Sequence, residues 1–181
     1  MIFFSLAVVG CAVDLLTKHW IFQWRGTPQL GQPRNVWWIW EGYFGIETAL
    51  NPGALFGMGE GFGVFFAILS IAAAVGILVW LFWFQAARDL LLTIALGCVT
   101  GGIGGNLYDR LGLWHDGNVP KGYEHAVRDW ILFRYEGYTW PNFNIADSLL
   151  VSGAVLLAWH GFFQKDASPN PESAATGGGQ R

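Results

Sequence analysis

Two aspartates in the second half of the chain have residue types and surroundings suited to hydrolysis. Asp129 lies between apolar residues in "EHAVRDWILF", and Asp147 lies in "FNIADSLLVSG", near the start of a long apolar run. Two carboxyl groups that meet can act as an acid and a base, because close like charges cannot both ionise easily. Such a pair can activate water. Asp147 has a second interpretation, in which it only stabilises a helix start that Asn144 caps.

Other polar residues lie within or next to apolar segments, where ionisable groups are candidates for function. Asp14 and Lys18 are spaced i and i+4, with the acid first, which is the favoured order for an ion pair. They either neutralise each other so that a helix can insert, or they brace a polar cavity. Asn106, Asp109 and Arg110 follow a glycine-rich apolar run, where they could form one side of a site.

The glycines of "GCVTGGIGGNLYDR" have a helical spacing. Gly97, Gly101 and Gly105 recur every four residues, and Gly102 begins a second row that continues through Asn106 and Arg110. Small residues at this spacing let helix backbones approach closely in lipid. The pattern therefore predicts a closely packed helix that carries polar groups at one end.

Several kinds of chemistry have no signature in the chain. No serine with a plausible base is evident, and the four histidines lack the HExxH spacing of a zinc peptidase, so we predict no metal and no cofactor. Cys11 and Cys98 lie in apolar runs, which argues against a disulfide framework. No basic block suggests a nucleic-acid partner.

Composition indicates a membrane protein. The chain has 181 residues, of which 53% are hydrophobic and only 13% are charged, whereas soluble domains carry about 25% charged residues. A bilayer core requires roughly 20 apolar residues in a helix. Four stretches qualify: 2–24, 62–84, 90–108 and 145–163. We therefore predict an all-α membrane protein with four transmembrane helices.

The connections between these stretches differ in length. The link "QAARD" is short, so the second and third helices should form an antiparallel hairpin, and the long connections 25–61 and 109–144 should lie on one side of the membrane. The segment "VWWIWEGYFGIET" predicts a small sheet on the membrane surface. We expect residues 1–164 to form one membrane domain and the polar residues 165–181 to form a disordered tail.

Five motifs occur along the chain in an order that resembles one family, lipoprotein signal peptidase, also called signal peptidase II. They are "DLLTK" in the first helix, "NPGALFG" at 51–57, "GGIGGNLYDR" at 101–110, "VRDW" at 127–130 and "FNIAD" at 143–147. The similarity extends over roughly residues 8–160. In the fourth motif, Trp130 stands where the family has Phe.

The resemblance implies an aspartic endopeptidase of the bacterial inner membrane. Its partners would be lipid-modified prolipoproteins, cleaved on the amino side of the diacylglyceryl-cysteine, and membrane phospholipid. Asp129 and Asp147 would be the catalytic pair. The residues implied to orient substrate or support the pair are Asn51, Gly53, Asn106, Arg110 and Asn144, and those implied to be structural or supporting are Asp14, Lys18 and Asp109.

The resemblance also implies a topology, with both termini in the cytoplasm and the active site towards the periplasm. The distribution of Lys and Arg favours the opposite orientation, since the long connections carry most of the positive charge. We follow the family, because several of these arginines would then belong to the site or contact phospholipid.

Two alternatives remain at this stage. The segment 111–126 looks long for the family, which leaves Asp109 and Asp116 as competitors of Asp129. A small proton-coupled transporter or channel would also place aspartates in helices. It would require a polar path, however, and the second apolar stretch has no charge.

Overall fold

The computed structural model describes residues 1–29, 35–53, 62–84 and 86–166. Its helices and strands follow one another as α1 (Ile2–Arg25), β1 (Trp37–Trp40), β2 (Phe44–Asn51), α2 (Gly63–Phe82), α3 (Leu90–Arg110), β3 (Val127–Tyr135), β4 (Tyr138–Thr139) and α4 (Ile145–Asp166). A short 3₁₀ turn, Ala86–Arg88, connects α2 to α3. This order confirms the predicted fold class, four membrane helices with a small β-rich element.

All four helices are long and apolar enough to cross a membrane. Their bounds agree with the four predicted stretches to within three residues at each end. Helix α2 has the highest mean hydropathy, 2.7, and most of its side chains are exposed. Because nothing in the described structure covers these apolar side chains, they are suited to contact lipid.

Helix α3 is the central helix, with contacts to α1, α2 and α4. Asp89 caps its start, because the carboxylate Oδ1 accepts a hydrogen bond of 2.9 Å from the backbone N–H of Leu92. The other oxygen of Asp89 lies 2.6 Å from Nε2 of His160, in the last turns of α4. This contact joins α3 to α4 at the end opposite the candidate site.

The predicted glycine rows contact two different helices. A Cβ at Gly101 would lie 3.1 Å from the carbonyl oxygen of Ala7 in α1, and one at Gly102 would lie 2.5 Å from that of Ala146 in α4. Gly97 and Gly105 also face α1. Because these glycines have no side chains, the backbones of α1 and α4 both lie close to α3, as the spacing predicted.

The strands form one antiparallel sheet in the order β1-β2-β3-β4. The register of the central pair places Ala49 opposite Asp129 and Asn51 opposite Val127. The first long connection thus supplies two strands, as its alternating aromatic pattern predicted, and the second supplies the strand that carries Asp129. Pairing between β2 and β3 brings the two connections together at one end of the helices.

The long segment 111–126 packs against that same end. His125 Nδ1 donates to the carbonyl oxygen of Arg110 at 2.8 Å, and His115 Nε2 donates to that of Glu124 at 2.9 Å. Trp114 packs edge-on against Phe22 of α1. These contacts hold the segment on α1 and α3.

Parts of two predictions lie outside the described residues. The motif "NPGALFG" is described only through Gly53, and the predicted disordered tail only through Asp166, which is the last residue of α4. The division into a domain 1–164 and a tail 165–181 stays a prediction.

We predict that Gly102→Ala lowers the free energy of unfolding by about 1–3 kcal/mol, because the added methyl group forces α3 and α4 apart. Gly76→Ala is the matched control, since a Cβ on that glycine of α2 meets nothing within 4 Å. Thermal unfolding of both variants in detergent measures the difference. Equal melting temperatures for the two variants would contradict the close packing.

Candidate active site

Asp129 and Asp147 lie on two sides of a pair of asparagines. Asn144 Nδ2 donates to Asp129 Oδ1 at 2.7 Å and to Asn106 Oδ1 at 3.1 Å. Asn106 Nδ2 in turn donates to Asp147 Oδ1 at 2.8 Å. This chain of hydrogen bonds joins the aspartate of β3 to that of α4, so the structure brings the two predicted carboxyl groups together.

Asp147 also belongs to a capping box at the start of α4. The backbone N–H of Asp147 donates to Asn144 Oδ1 at 2.9 Å, and the backbone N–H of Asn144 donates to Asp147 Oδ2 at 3.2 Å. Such reciprocal bonds satisfy two N–H groups that a helix start otherwise leaves unpaired. The cap interpretation of Asp147 is therefore correct, but it uses only the Oδ2 oxygen of the carboxylate.

Asn51, Gly53 and Arg110 form a second chain of hydrogen bonds that ends at Asp129. Arg110 Nη2 donates to the carbonyl oxygen of Gly53 at 2.9 Å, and the Gly53 N–H donates to Asn51 Oδ1 at 3.1 Å. This bond orients the amide so that Asn51 Nδ2 donates to Asp129 Oδ2 at 3.3 Å. Arg110 Nη1 is buried and has no hydrogen-bond partner among the described residues.

Asp14 and Lys18 do more than neutralise each other, because both side chains also contact α3 or α4. Lys18 Nζ lies 2.7 Å from Asp14 Oδ2 and 3.1 Å from Asp109 Oδ2, and it donates to Asn106 Oδ1 at 2.9 Å. Asp14 Oδ1 accepts a hydrogen bond of 2.8 Å from the backbone N–H of Ala146 at the start of α4. The pair thus braces α3 and α4, as one of the two interpretations of its spacing predicted.

Asp109 is fully buried at the end of α3, and its main partner is Arg128. Arg128 Nη2 lies 2.7 Å and Nε lies 3.0 Å from Asp109 Oδ1, while the Arg128 backbone N–H donates to Asp109 Oδ2 at 3.0 Å. Arg128 and Lys18 together hold Asp109, because β3 and α1 pack against this end of α3.

The surroundings of Asp129 favour its protonated form. Burial raises the pKa of Asp129 well above the usual range of an aspartate, and the charge of Asp147 raises it further. The charge of Lys18 and the hydrogen bonds from Asn51 and Asn144 partly offset this rise. Asp129 is 2% exposed, so burial dominates.

Every residue predicted for the site lies in this cluster of hydrogen bonds and ion pairs at the β-sheet end of the helices. Asp116 does not: its carboxylate is exposed and accepts hydrogen bonds from Asn118 in a loop. Among the described residues, no group of three or more His, Cys, Asp or Glu side chains is arranged to hold a metal ion.

Sequence reasoning missed Arg128. In the sequence, Arg128 contributes only to the positive charge of the long connections. The strand is buried on both faces at this point, with Arg128 only 4% exposed. The available signal was its position in a mostly apolar strand, since a charge that is buried there requires a partner.

Comparisons with known proteins agree with this geometry. The profile of a family described as signal peptidase (SPase) II matches residues 6–163. The chain belongs to the signal peptidase II family. It is 56% identical over 162 residues to a lipoprotein signal peptidase of Rhodopirellula baltica, covering 89% of this chain and 71% of that protein. A lipoprotein signal peptidase of Symbiobacterium thermophilum is 33% identical over 160 residues, covering 88% and 93%.

Solved structures show the same fold. One, described as a bacterial membrane enzyme, superposes with a TM-score of 0.69 at 29% identity and covers 91% of this chain and 88% of that one. A second with the same description has a TM-score of 0.66 at 27% identity, covering 86% and 89%. The four membrane-length helices and the family together fit a multi-pass bacterial membrane peptidase.

We predict that Asp129→Asn removes a pH dependence of stability. The folded pKa of Asp129 lies above the unfolded value, so its contribution is complete below the unfolded pKa and is lost as pH rises through the folded pKa. An uncharged amide has no such loss, and the variant should equal or exceed the parent in stability at mildly alkaline pH. Melting temperatures across an acid-to-alkaline series measure this, with Asp116→Asn as the control. Parallel curves for Asp129→Asn and the parent would show that burial does not shift this pKa.

We predict that Asp109→Asn destabilises the fold by about 3 kcal/mol or more, because it leaves Lys18 and Arg128 buried without their shared carboxylate. Asp116→Asn should be neutral, since that aspartate is exposed. Yield and unfolding temperature in detergent distinguish the two variants. Turnover per folded molecule should survive in part in Asp109→Asn. A folded variant with no turnover would instead move Asp109 into the chemistry.

Proposed function

We propose that this protein is an aspartic endopeptidase that removes the signal peptide of prolipoproteins on the amino side of the diacylglyceryl-modified cysteine. The observation that carries the proposal is the hydrogen-bonded connection between Asp129 and Asp147 through Asn144 and Asn106. The family supports the substrate class, since its relatives are lipoprotein signal peptidases. The catalytic type rests on the two carboxyl groups.

The charges around the two aspartates support one shared proton. Three cations lie in this assembly, Lys18, Arg110 and Arg128, and Asp14 and Asp109 balance two of them. One further negative charge makes the set neutral, so one aspartate of the pair is ionised and the other is protonated. Buried charges without compensation are expensive, and this favours the neutral arrangement.

Asp129 is the protonated member and Asp147 the ionised one. The burial that raises the pKa of Asp129 favours a proton there. Its Oδ2 accepts only the longer bond of 3.3 Å from Asn51, so Oδ2 is the oxygen that carries the proton. Both oxygens of Asp147 accept hydrogen bonds from N–H donors, as expected of a base.

Cleavage then proceeds without a covalent intermediate. Asp147 takes a proton from a water molecule, and the water oxygen attacks the carbonyl carbon of the scissile peptide bond. Asp129 donates a hydrogen bond to the carbonyl oxygen and then gives its proton to the amide nitrogen as the carbon–nitrogen bond breaks. The products are a carboxylic acid and an amine, and passage of the proton from Asp147 to Asp129 restores the starting pair.

The residues around the pair orient the substrate. Arg110 Nη1 is buried without a described partner, so it can donate to a carbonyl oxygen of the substrate backbone. Asn51 and Gly53, at the end of β2, lie beside Asp129 and hold it through their own hydrogen bonds. Binding of the peptide here places its scissile bond at the pair.

The site lies at the end of the helices that carries the sheet, and membrane phospholipid contacts its surroundings. Trp24 of α1 and Trp37 of β1 are exposed and stack edge-on, with ring centroids 5.3 Å apart. Exposed indoles at helix ends suit the headgroup region. In the bacterial inner membrane this end faces the periplasm, and both termini lie in the cytoplasm, as in the orientation that the resemblance implied.

We predict that Asp129→Asn and Asp147→Asn each abolish cleavage of a lipid-modified prolipoprotein while the protein still inserts and binds substrate. Each variant keeps the shape of the side chain but loses its proton-transfer function. Asp116→Asn should cleave like the parent. Purified variants are compared by product formation per folded molecule, with substrate binding measured separately.

The same measurement distinguishes the aspartic endopeptidase from the alternative function, a small proton-coupled transporter or channel. Turnover by Asp129→Asn or Asp147→Asn would contradict the aspartic mechanism. An intact parent that cleaves no lipid-modified prolipoprotein, yet carries protons across vesicle membranes, would support the transporter instead.

A further inference from the structure

We propose that Arg128 is a positioning residue for the reaction, which fixes the backbone of β3 so that Asp129 stays in register with Asp147. The proposal rests on the proposed function, since it assumes that Asp129 reacts. Arg128 does not contact the substrate in this proposal. It acts through Asp109 and through the peptide unit that it shares with Asp129.

The backbone on the amino side of Asp129 is held at two successive positions. The Arg128 N–H donates to Asp109 Oδ2 at 3.0 Å, and the Arg128 carbonyl oxygen accepts a bond of 3.4 Å from Asn144 Nδ2. The first bond attaches β3 to α3, and the second attaches it to the start of α4. Asn144 is also the residue that donates to Asp129, so a shift of this strand changes the central hydrogen bonds of the site.

The side chain of Arg128 reinforces the same attachment. Nε and Nη2 both approach Asp109 Oδ1, and Lys18 holds the other carboxylate oxygen at 3.1 Å. Asp109 therefore cannot rotate towards another donor, and its Oδ2 stays directed at the strand backbone. Lys18 also donates to Asn106, which holds Asp147. One buried network thus sets the positions of both aspartates.

This position requires a guanidinium group rather than a simple positive charge. The Arg128 guanidinium lies 5.2 Å from the ring centroid of Trp114 and 5.8 Å from that of Phe22. A flat cation can stack on aromatic rings while two N–H groups along its edge bind a carboxylate, a combination that the compact ammonium group of lysine does not provide. Trp114 belongs to the long segment 111–126, which gives that segment a role: it encloses the positioning arginine.

Arg128→Lys tests the proposal, because it keeps the charge and removes the fork. Arg134→Lys is the matched control on the same strand, since Arg134 also stacks on a tryptophan, Trp38, at 5.1 Å, but lies outside the buried network. We expect kcat to fall by about 10- to 100-fold in Arg128→Lys with KM nearly unchanged, as for a small misplacement of a reacting group. Arg134→Lys should keep the kcat of the parent.

Turnover is measured on a lipid-modified prolipoprotein and divided by the amount of folded enzyme. The amount of folded enzyme is taken from the monodisperse fraction. An unchanged kcat in Arg128→Lys would overturn the proposal, as would an effect on KM alone or an equal loss in Arg134→Lys. Asp129→Asn, assayed in parallel, separates this failure from that of the proposed function. If Asp129→Asn turns over, the aspartic mechanism is wrong; if it is inactive while Arg128→Lys is fully active, only the role of Arg128 is wrong.

A second variant covers the case in which Arg128→Lys does not fold. Arg128→Met combined with Asp109→Asn removes both charges of the pair, so no buried charge loses its only partner. Lys18 keeps Asp14. The double variant should fold and show the same selective loss of kcat, because the guanidinium–carboxylate contact between β3 and α3 is gone. A double variant with the kcat of the parent would refute the positioning role directly.

Discussion

The structure depends on one constraint: charges buried at the end of an apolar helix bundle must neutralise one another. Asp14, Lys18 and Asp109 are fully buried, and Arg128 nearly so. None of them can be hydrated, so each charge requires an opposite charge and hydrogen bonds to its remaining atoms. The network that meets this requirement joins α1, α3 and β3. In the proposed mechanism, a third cation, Arg110, is balanced by one negative charge on the pair Asp129 and Asp147.

Close helix packing is what allows this network to form. Gly105 lies so near Asp14 that a Cβ there would overlap the carboxylate, and Gly102 brings the backbone of Ala146 within reach of α3. With larger residues at these positions, the distance from Asp14 Oδ1 to the Ala146 N–H would exceed hydrogen-bond length. The small residues of α3 therefore do more than pack: they set the distance between the charged groups and the start of α4.

The sequence predicted the helices and a set of polar residues that the structure brings together, but it did not predict how these residues pair. Hydropathy located all four helices, because lipid imposes a length and a composition that few other structures share. Glycine spacing predicted the close contacts of α3. The sequence did not indicate the partner of Asp109, since Arg128 is distant in sequence and its proximity depends on the pairing of β3 with β2. Side-chain contacts set by a sheet register cannot be read from local periodicity, because a shift by one residue reverses which face each side chain occupies.

In the proposed mechanism, Asp147 combines two roles that looked like alternatives in the sequence. A carboxylate has two oxygens, and the helix start uses one of them: Oδ2 accepts the N–H of Asn144, while Oδ1 faces Asn106. The cap fixes the rotation of the side chain, which a catalytic base requires, because an unrestrained carboxylate would spend part of its time out of line with the water. Asn144 links the two aspartates, since it accepts the N–H of Asp147 through Oδ1 and donates to Asp129 through Nδ2. The same helix cap that stabilises α4 thus sets the relative orientation of both carboxyl groups.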